Sequence, residues 1–335
     1  MPKISVIIPV YNGSHTIAET LQSVLRQSYR DFEVLIIDDG STDALMAVLE
    51  PFQDPRIQVF HYENGGLPVA RNRGIARSTG DYLIFLDADD LWTSDKLESH
   101  LRTLEKARQT NPKAGVAYSW NYFLDDVTQE CFTNEVGHHE GNVLPILLTH
   151  NFIINGSNPM IAREAIESTG GFREDLISAE DWDYWIKLAH HWEFVLIPKR
   201  QVFYRQIQTS MSSQVDKMER AQVQVIDAAF EALPDPLSHL KPLRKIALAN
   251  VYFYCAQLYY RRQQTRDTLS LLHQKLFQAL TLNPKLLRDR NARILLTQYL
   301  LLKILSPERF QYLLQRYRQR RSKFPANQSI NPYLT

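Results

Sequence analysis

The sequence predicts an α/β protein: a twisted sheet flanked by helices, followed by an all-helical C-terminal region. Strand and helix signals alternate over about the first 120 residues, the rhythm that builds parallel βαβ units. Polar clusters follow the ends of the apolar runs, where ligands bind in open α/β sheets. From about Gln214 onward the apolar period is helical. A chain of 335 residues can hold one large domain with a helical appendage.

Ile4-Ser5-Val6-Ile7-Ile8 reads as a buried strand stopped by Pro9, and Asn12-Gly13-Ser14 as a turn whose Ser14 caps a helix. That helix places Ile17, Leu21, Val24 and Leu25 on one face. Glu33 to Ile37 forms a second strand ending in Asp38-Asp39-Gly40-Ser41, and Asp43 to Leu49 a short helix. Ile57 to Phe60 is a third strand, and Leu67 to Arg77 a helix ended by Ser78-Thr79-Gly80. Tyr82 to Leu86 is a fourth strand running into Asp87-Ala88-Asp89-Asp90, with a helix from about Thr93. Between Gly115 and Arg205 the pattern is mixed, with a helix near Trp182 to His190. Val251 to Pro284 has a helix-turn-helix rhythm faintly like one tetratricopeptide unit, which cannot stand as a solenoid by itself. These boundaries suggest a domain over 1–213, divided into a nucleotide half (1–120) and an acceptor half (121–213), then a helical region over 214–335.

Composition narrows the function. A hydrophobic fraction of 44% excludes general disorder, and a net charge of +1 gives no electrostatic case for nucleic acid. Cys131 and Cys255 have no metal-ligand spacing, which fits a reducing cytoplasm. The run Ile4 to Val10 is short and contains Pro9, so it predicts a strand rather than a secretion leader. The stretch from Arg288 to Lys323 carries ten basic residues against Asp289 and Glu308. With Phe310, Leu313 and Leu314 before Arg316, Arg318, Arg320, Arg321 and Lys323, the tail leaves two roles open: peripheral contact with the inner membrane surface, or packing and self-association.

Two carboxylates spaced Asp-x-Asp in a turn can face one hard cation, and Mg²⁺ or Mn²⁺ takes oxygen ligands completed by phosphate and water. Asp87 and Asp89 are that pair; the alternative is that they cap the following helix. Asp39 can accept from a base edge or ribose, or close an Asx-turn with Gly40 and Ser41. Arg71, after Asn64-Gly65-Gly66, can clamp a phosphate, whereas Arg73 reads as a surface arginine. Glu180-Asp181 at a helix start compensates the dipole, or supplies a general base beside a wall of Trp182 and Trp185 that packs on a sugar ring.

Together these residues resemble family 2 glycosyltransferases. Ser5-Val6-Ile7-Ile8-Pro9-Val10-Tyr11-Asn12 and Asp38-Asp39-Gly40-Ser41-Thr42-Asp43 look like the family's opening. Asn64-Gly65-Gly66, Ala70-Arg71-Asn72, Gly80 to Asp90, Gly170-Gly171-Phe172 and Glu180-Asp181 continue it in order, over about 215 residues. The resemblance implies a GT-A type, Rossmann-like mixed sheet and a nucleotide-sugar donor, with a UDP-sugar favoured. It implies that Pro9, Tyr11 and Asp39 hold the nucleoside, that Asn64 and Arg71 lie beside the nucleotide, and that Asp87-Ala88-Asp89 is the DXD motif with Asp89 the direct ligand of Mn²⁺ or Mg²⁺. Asp181 is then the base of an inverting displacement onto a glycan, lipid-linked or protein hydroxyl. The acceptor is expected near Glu180, Trp182 and Trp185 and along Cys131 to Ser157, with Asn155-Gly156-Ser157 leaving room for a ring. Tyr204-Arg205-Gln206-Ile207 departs from the pattern, because Ile207 stands where many members carry histidine; Arg205 and Ser210 are expected to reach phosphate instead. Nucleotidyltransfer and a non-catalytic scaffold stay open as rivals. The first rival lacks a basic phosphate loop after the first strand, and a dehydrogenase lacks its Gly-x-Gly-x-x-Gly there.

Overall fold

Four parallel strands set one edge of the molecule: β1 (Ile4–Val10), β2 (Phe32–Asp38), β3 (Ile57–His61) and β4 (Tyr82–Phe85). They form in a computed structural model that describes residues 4–133, 136–207, 214–262 and 265–305. β1, β2 and β4 are buried along their whole length, as strands dominated by apolar residues are inside an α/β sheet, and the polar pair Ser5 and Glu33 within them bond each other. The sheet continues through β5 (Leu91–Trp92), β6 (Ala114–Asp125), β7 (Cys131–Phe132), β8 (Met160–Ala162) and β9 (Glu193–Gln206). Its order is β3-β2-β1-β4-β8-β6-β9-β5, with β7 on β6. β8 runs antiparallel to both β4 and β6, which makes the sheet mixed.

The helices of this half are α1 (Ile17–Leu25), α2 (Leu45–Leu49), α3 (Leu67–Arg77), α4 (Lys96–Arg108), α5 (Leu144–Leu147), α6 (Arg163–Thr169) and α7 (Glu180–Ala189). Two local expectations need correction. Pro9 does not stop β1: it pairs with Ile37 inside the strand, past the last β1–β4 pair at Ile7 and Phe85. A proline is tolerated there because one side of the strand no longer asks for its N–H. Ser14 does not cap α1: its N–H donates to Asp43 Oδ2 at 2.8 Å, and the helix starts after Thr16.

The described residues divide into two compact units, 4–147 with 151–207, and 148–150 with 214–305. The second contains α8 (Val215–Glu231), α9 (Leu243–Arg261), α10 (Arg266–Leu282) and α11 (Arg290–Ile304). α9 packs on α8 and α10, and Lys275 bonds Glu219 at 2.6 Å. No helix among the described residues is long and apolar enough to cross a membrane. Ser210 and the tail from Phe310 to Lys323 lie outside the described residues.

Candidate active site

The C-terminal ends of β1, β2 and β4 bring the polar clusters to one edge of the first unit. Val10, at the end of β1, leads into Tyr11, whose ring is 56% exposed. Asn12 follows with φ of 53°; its Oδ1 accepts from Thr42 N at 2.8 Å, tying the β1 loop to the β2 loop. Pro9 is buried behind them. The Asx-turn at the end of β2 belongs to Asp38, whose Oδ1 accepts from Ser41 N.

Asp39 is almost wholly buried, and its carboxylate accepts from Gly65 N (3.0 Å), Gly66 N (2.7 Å) and Arg73 Nη1 (2.7 Å). Asn64 Nδ2 donates to Asp39 O at 2.9 Å. Asp39 therefore moulds the Asn64-Gly65-Gly66 loop, and these three bonds leave about one of a carboxylate's four acceptor directions for a ligand. Gly66 takes φ of 91°, a backbone that favours glycine. Arg73 is thus no surplus surface arginine. It lies seven residues after Gly66, two helical turns on the same face, and that spacing was the available signal.

After β4 the chain turns through Asp87, Ala88, Asp89 and Asp90 before β5. A strand, not a helix, follows the aspartates, so they do not cap α4, whose N-cap is Asp95. Arg71, fully buried on α3, donates to Asp87 Oδ1 at 2.7 Å and to Glu180 Oε1 at 2.6 Å. Burial opposes its charge, but Asp87, Glu180 and Asp181 outweigh that and raise its pKa above the ordinary arginine value. Arg71 is a buried strut between the loop after β4 and the start of α7. The phosphate contact expected of it does not fit a guanidinium enclosed in this way.

Asp89 stands differently. Burial and then Asp87 push its pKa up to about 6, against a counter-pull from Arg205, and it has no ion pair with a described residue. Asp90 is fully buried, accepts from Ser157 Oγ (2.6 Å) and Arg205 N (3.0 Å), and is held well above the carboxylate range by burial and its two neighbours. Two uncompensated carboxylate oxygens at a strand end fit a hard divalent cation. Among the described residues no three His, Cys, Asp or Glu side chains gather to hold a metal unaided, so such an ion would draw the rest of its shell from phosphate and water.

Arg205, buried on β9, clamps this loop: Nε donates to Asp89 O (2.8 Å), Nη1 to Asp126 (3.0 Å) and Nη2 to Glu19 (2.6 Å). Each guanidinium nitrogen donates once, so three of its five N–H groups hold the loop and only the other two could serve the phosphate contact expected of Arg205. Ser157 completes the clamp from the other side. It accepts from Asp87 N at 3.0 Å while donating to Asp90, and Gly156 is bare because a Cβ there would strike the Arg71 guanidinium. The segment Asn155-Gly156-Ser157 makes room for Arg71, not for an acceptor ring.

Asp181 follows Glu180 into α7. Burial first, then Glu180, push its pKa up to about 7, with Arg71 opposing. Its Oδ1 accepts from Trp182 N at 2.6 Å and its Oδ2 faces Asn151 Nδ2 at 3.4 Å. Asn151 was not named from the sequence, and Ser157, Asp90 and Arg73 were named there without the contacts they make. The acceptor roles expected for the neighbours do not fit their placement. Glu180 is ion-paired in the interior, Trp182 is buried with Nε1 on Leu147 O, and Trp185 is 0% exposed. A ring without accessible surface cannot stack on a sugar.

A family profile described as "Glycosyltransferase like family 2" matches residues 5–255. An uncharacterized glycosyltransferase of Rickettsia felis is 35% identical over 197 residues, 56% of this chain and 30% of that protein. The chain thus spans under a third of that relative's length. The amylovoran biosynthesis glycosyltransferase AmsB of Erwinia amylovora is 34% identical over 213 residues, 61% of this chain and 69% of that protein. Among solved structures, S. aureus TarS 1-349 in complex with UDP-GlcNAc shares the fold with a TM-score of 0.64 at 17% identity, covering 95% of this chain and 92% of that one. Mannosyltransferase PcManGT from Pyrobaculum calidifontis, in complex with GDP-Man and Mn²⁺, gives 0.58 at 20% identity, covering 94% and 84%.

Proposed function

The chain belongs to glycosyltransferase-like family 2, and on that premise we propose that it transfers a sugar from a nucleoside diphosphate sugar to a hydroxyl of a glycan or lipid-linked acceptor, with inversion. The single observation that carries the proposal is the strut Asp87–Arg71–Glu180, which ties the loop after β4 to the helix that presents Asp181. A carboxylate poised near neutrality, one residue beyond that strut, suits a general base.

Tyr11, with Pro9 behind it, offers the exposed face for the base, and Asp39 with Asn64 shapes the loop beside the nucleoside. Asp89, with the free oxygen of Asp87, would hold Mn²⁺ or Mg²⁺. The ion, when bound, offsets charge on the departing diphosphate. Solved relatives bound to UDP-GlcNAc, or to GDP-Man with Mn²⁺, support both parts of this reading, and a UDP-sugar is favoured. Asp181 takes the proton of the acceptor hydroxyl. The acceptor oxygen forms its bond to the anomeric carbon as the bond to the diphosphate oxygen breaks, and the nucleoside diphosphate leaves. Attack opposite the leaving group inverts the configuration. The transferase domain corresponds to 1–213, and its placement is the cytoplasm, where nucleotide-sugars are made.

The test is a turnover assay with a panel of UDP- and GDP-sugars, Mn²⁺ and oligosaccharide or polyprenyl-phosphate acceptors. Release of nucleoside diphosphate with a glycosylated product is expected. Pyrophosphate in its place identifies nucleotidyltransfer, and binding without turnover a scaffold; either result overturns the proposal.

A further inference from the structure

α11 buries Ala292, Leu295, Tyr299 and Leu302 along one arc, the face it turns to its own unit. The opposite arc carries Ile294 (42% exposed), Leu300 (49%), Leu301 (38%) and Ile304 (79%). At 100° per residue these four fall within about a third of the helix circumference, with Arg290 and Arg293 on the same arc toward the N-terminus. Single exposed aliphatics are ordinary, but four on one arc of a helix, interrupted by Thr297, mark an interaction surface.

The charge around the stripe says what covers it. Lys285, Arg288, Arg290 and Arg293 are all exposed, and none has an ion pair with a described residue. The one acid between 283 and 305 is Asp289, whose Oδ1 caps α11 by accepting from Ala292 N at 2.9 Å. A second copy meeting this face across a two-fold axis would bring eight basic residues together against two acids, Asp289 of each copy. An anionic bilayer answers both features: aliphatic side chains enter the headgroup boundary and the arginines meet lipid phosphates. We infer that the outward face of α11 docks the protein on an anionic membrane surface. The inference is independent of the sugar-transfer reading.

Flotation of the 335-residue chain tests it, with phosphatidylcholine vesicles containing phosphatidylglycerol against pure phosphatidylcholine. Wild type should float with the anionic vesicles only, and lose binding in high salt. Leu301→Asp/Ile304→Asp should abolish flotation, and Arg290→Gln or Arg293→Gln should each weaken partitioning about fivefold. All four side chains are exposed, so unchanged thermal melting of the variants is the control for folding. Variants that float like wild type, or a wild type that ignores anionic vesicles, overturn the inference. So does a concentration-dependent dimer, seen by light scattering and lost in Leu301→Asp/Ile304→Asp, if flotation is absent.

Discussion

Asp181 sits against Glu180, with Trp182 N–H on one oxygen and Asn151 facing the other, and burial then Glu180 push its pKa up to about 7, the range the proposed base needs. As a base it must be ionised, so kcat/KM should rise with pH along an acid limb centred near 7. Asp181→Asn should lose turnover by about 10²- to 10⁴-fold and keep UDP binding by calorimetry; wild-type turnover removes Asp181 from the role. The same shift has a stability consequence. The folded carboxyl holds its proton to about 7 and the unfolded one only to 3.8, so the fold binds more protons in between. Its contribution to stability is fullest at the acid end of that window and is lost as pH rises to 7. Urea denaturation at both ends should show a smaller loss in Asp181→Asn. Arg71 gives a second prediction. Arg71→Met leaves Glu180 buried without its partner and should cost about 3–5 kcal/mol in urea denaturation, with part regained in Arg71→Met/Glu180→Gln. An unchanged midpoint would show that the strut bears nothing. Neither partner of Arg71 was legible, because an arginine seen alone in sequence carries no sign of burial, whereas Asp181 was singled out from ordered motifs and its role is the one the turnover assay tests.

At the scale of elements, β1 to β4, α3 and α7 emerge where the apolar runs and their turn residues put them, since each depends on local patterning. β5 did not, because two residues carry no period; only its antiparallel pairing with Phe203 and Val202 on β9 makes it a strand. The same pairing explains why the helix-cap reading of the aspartates fails. The clamp by Arg205 and Ser157 was likewise hidden, since it joins residues more than sixty positions apart in sequence. α3 shows how tightly elements meet. A Cβ on Gly74 would overlap Ile7 of β1, so the helix carrying Arg71 lies directly on the strand leading to Tyr11. Gly74→Ala should therefore destabilise by about 1–3 kcal/mol despite its better helix propensity. Adding Ile7→Leu, which removes the Cγ2 methyl that the new Cβ would meet, should restore part of that. A stabilised Gly74→Ala, measured by denaturant midpoint, would mean that the contact yields freely.

For the whole molecule, binding and stability are linked, and the charge at the edge of the sheet sets the sign. Asp87, Asp89 and Asp90 crowd one turn, and among the described residues only Asp87 and Asp90 have partners that answer their charge or fill their acceptors. A diphosphate brought here alone adds negative charge to that edge, whereas a divalent cation relieves Asp89 and then attracts the diphosphate. Nucleotide and metal should thus stabilise the fold together far more than either does singly. At one hundred times its Kd a ligand that binds only the native state contributes about 2.7 kcal/mol. UDP with Mn²⁺ should raise Tm by several degrees, UDP with EDTA by little, and Asp89→Asn should abolish the difference while melting no lower than wild type without ligand. Since removing one of the crowded charges relieves repulsion, a ligand-free Asp89→Asn that melts lower would place Asp89 in the scaffold. An equal rise with and without metal would leave nucleotide binding in place and remove the cation from this edge.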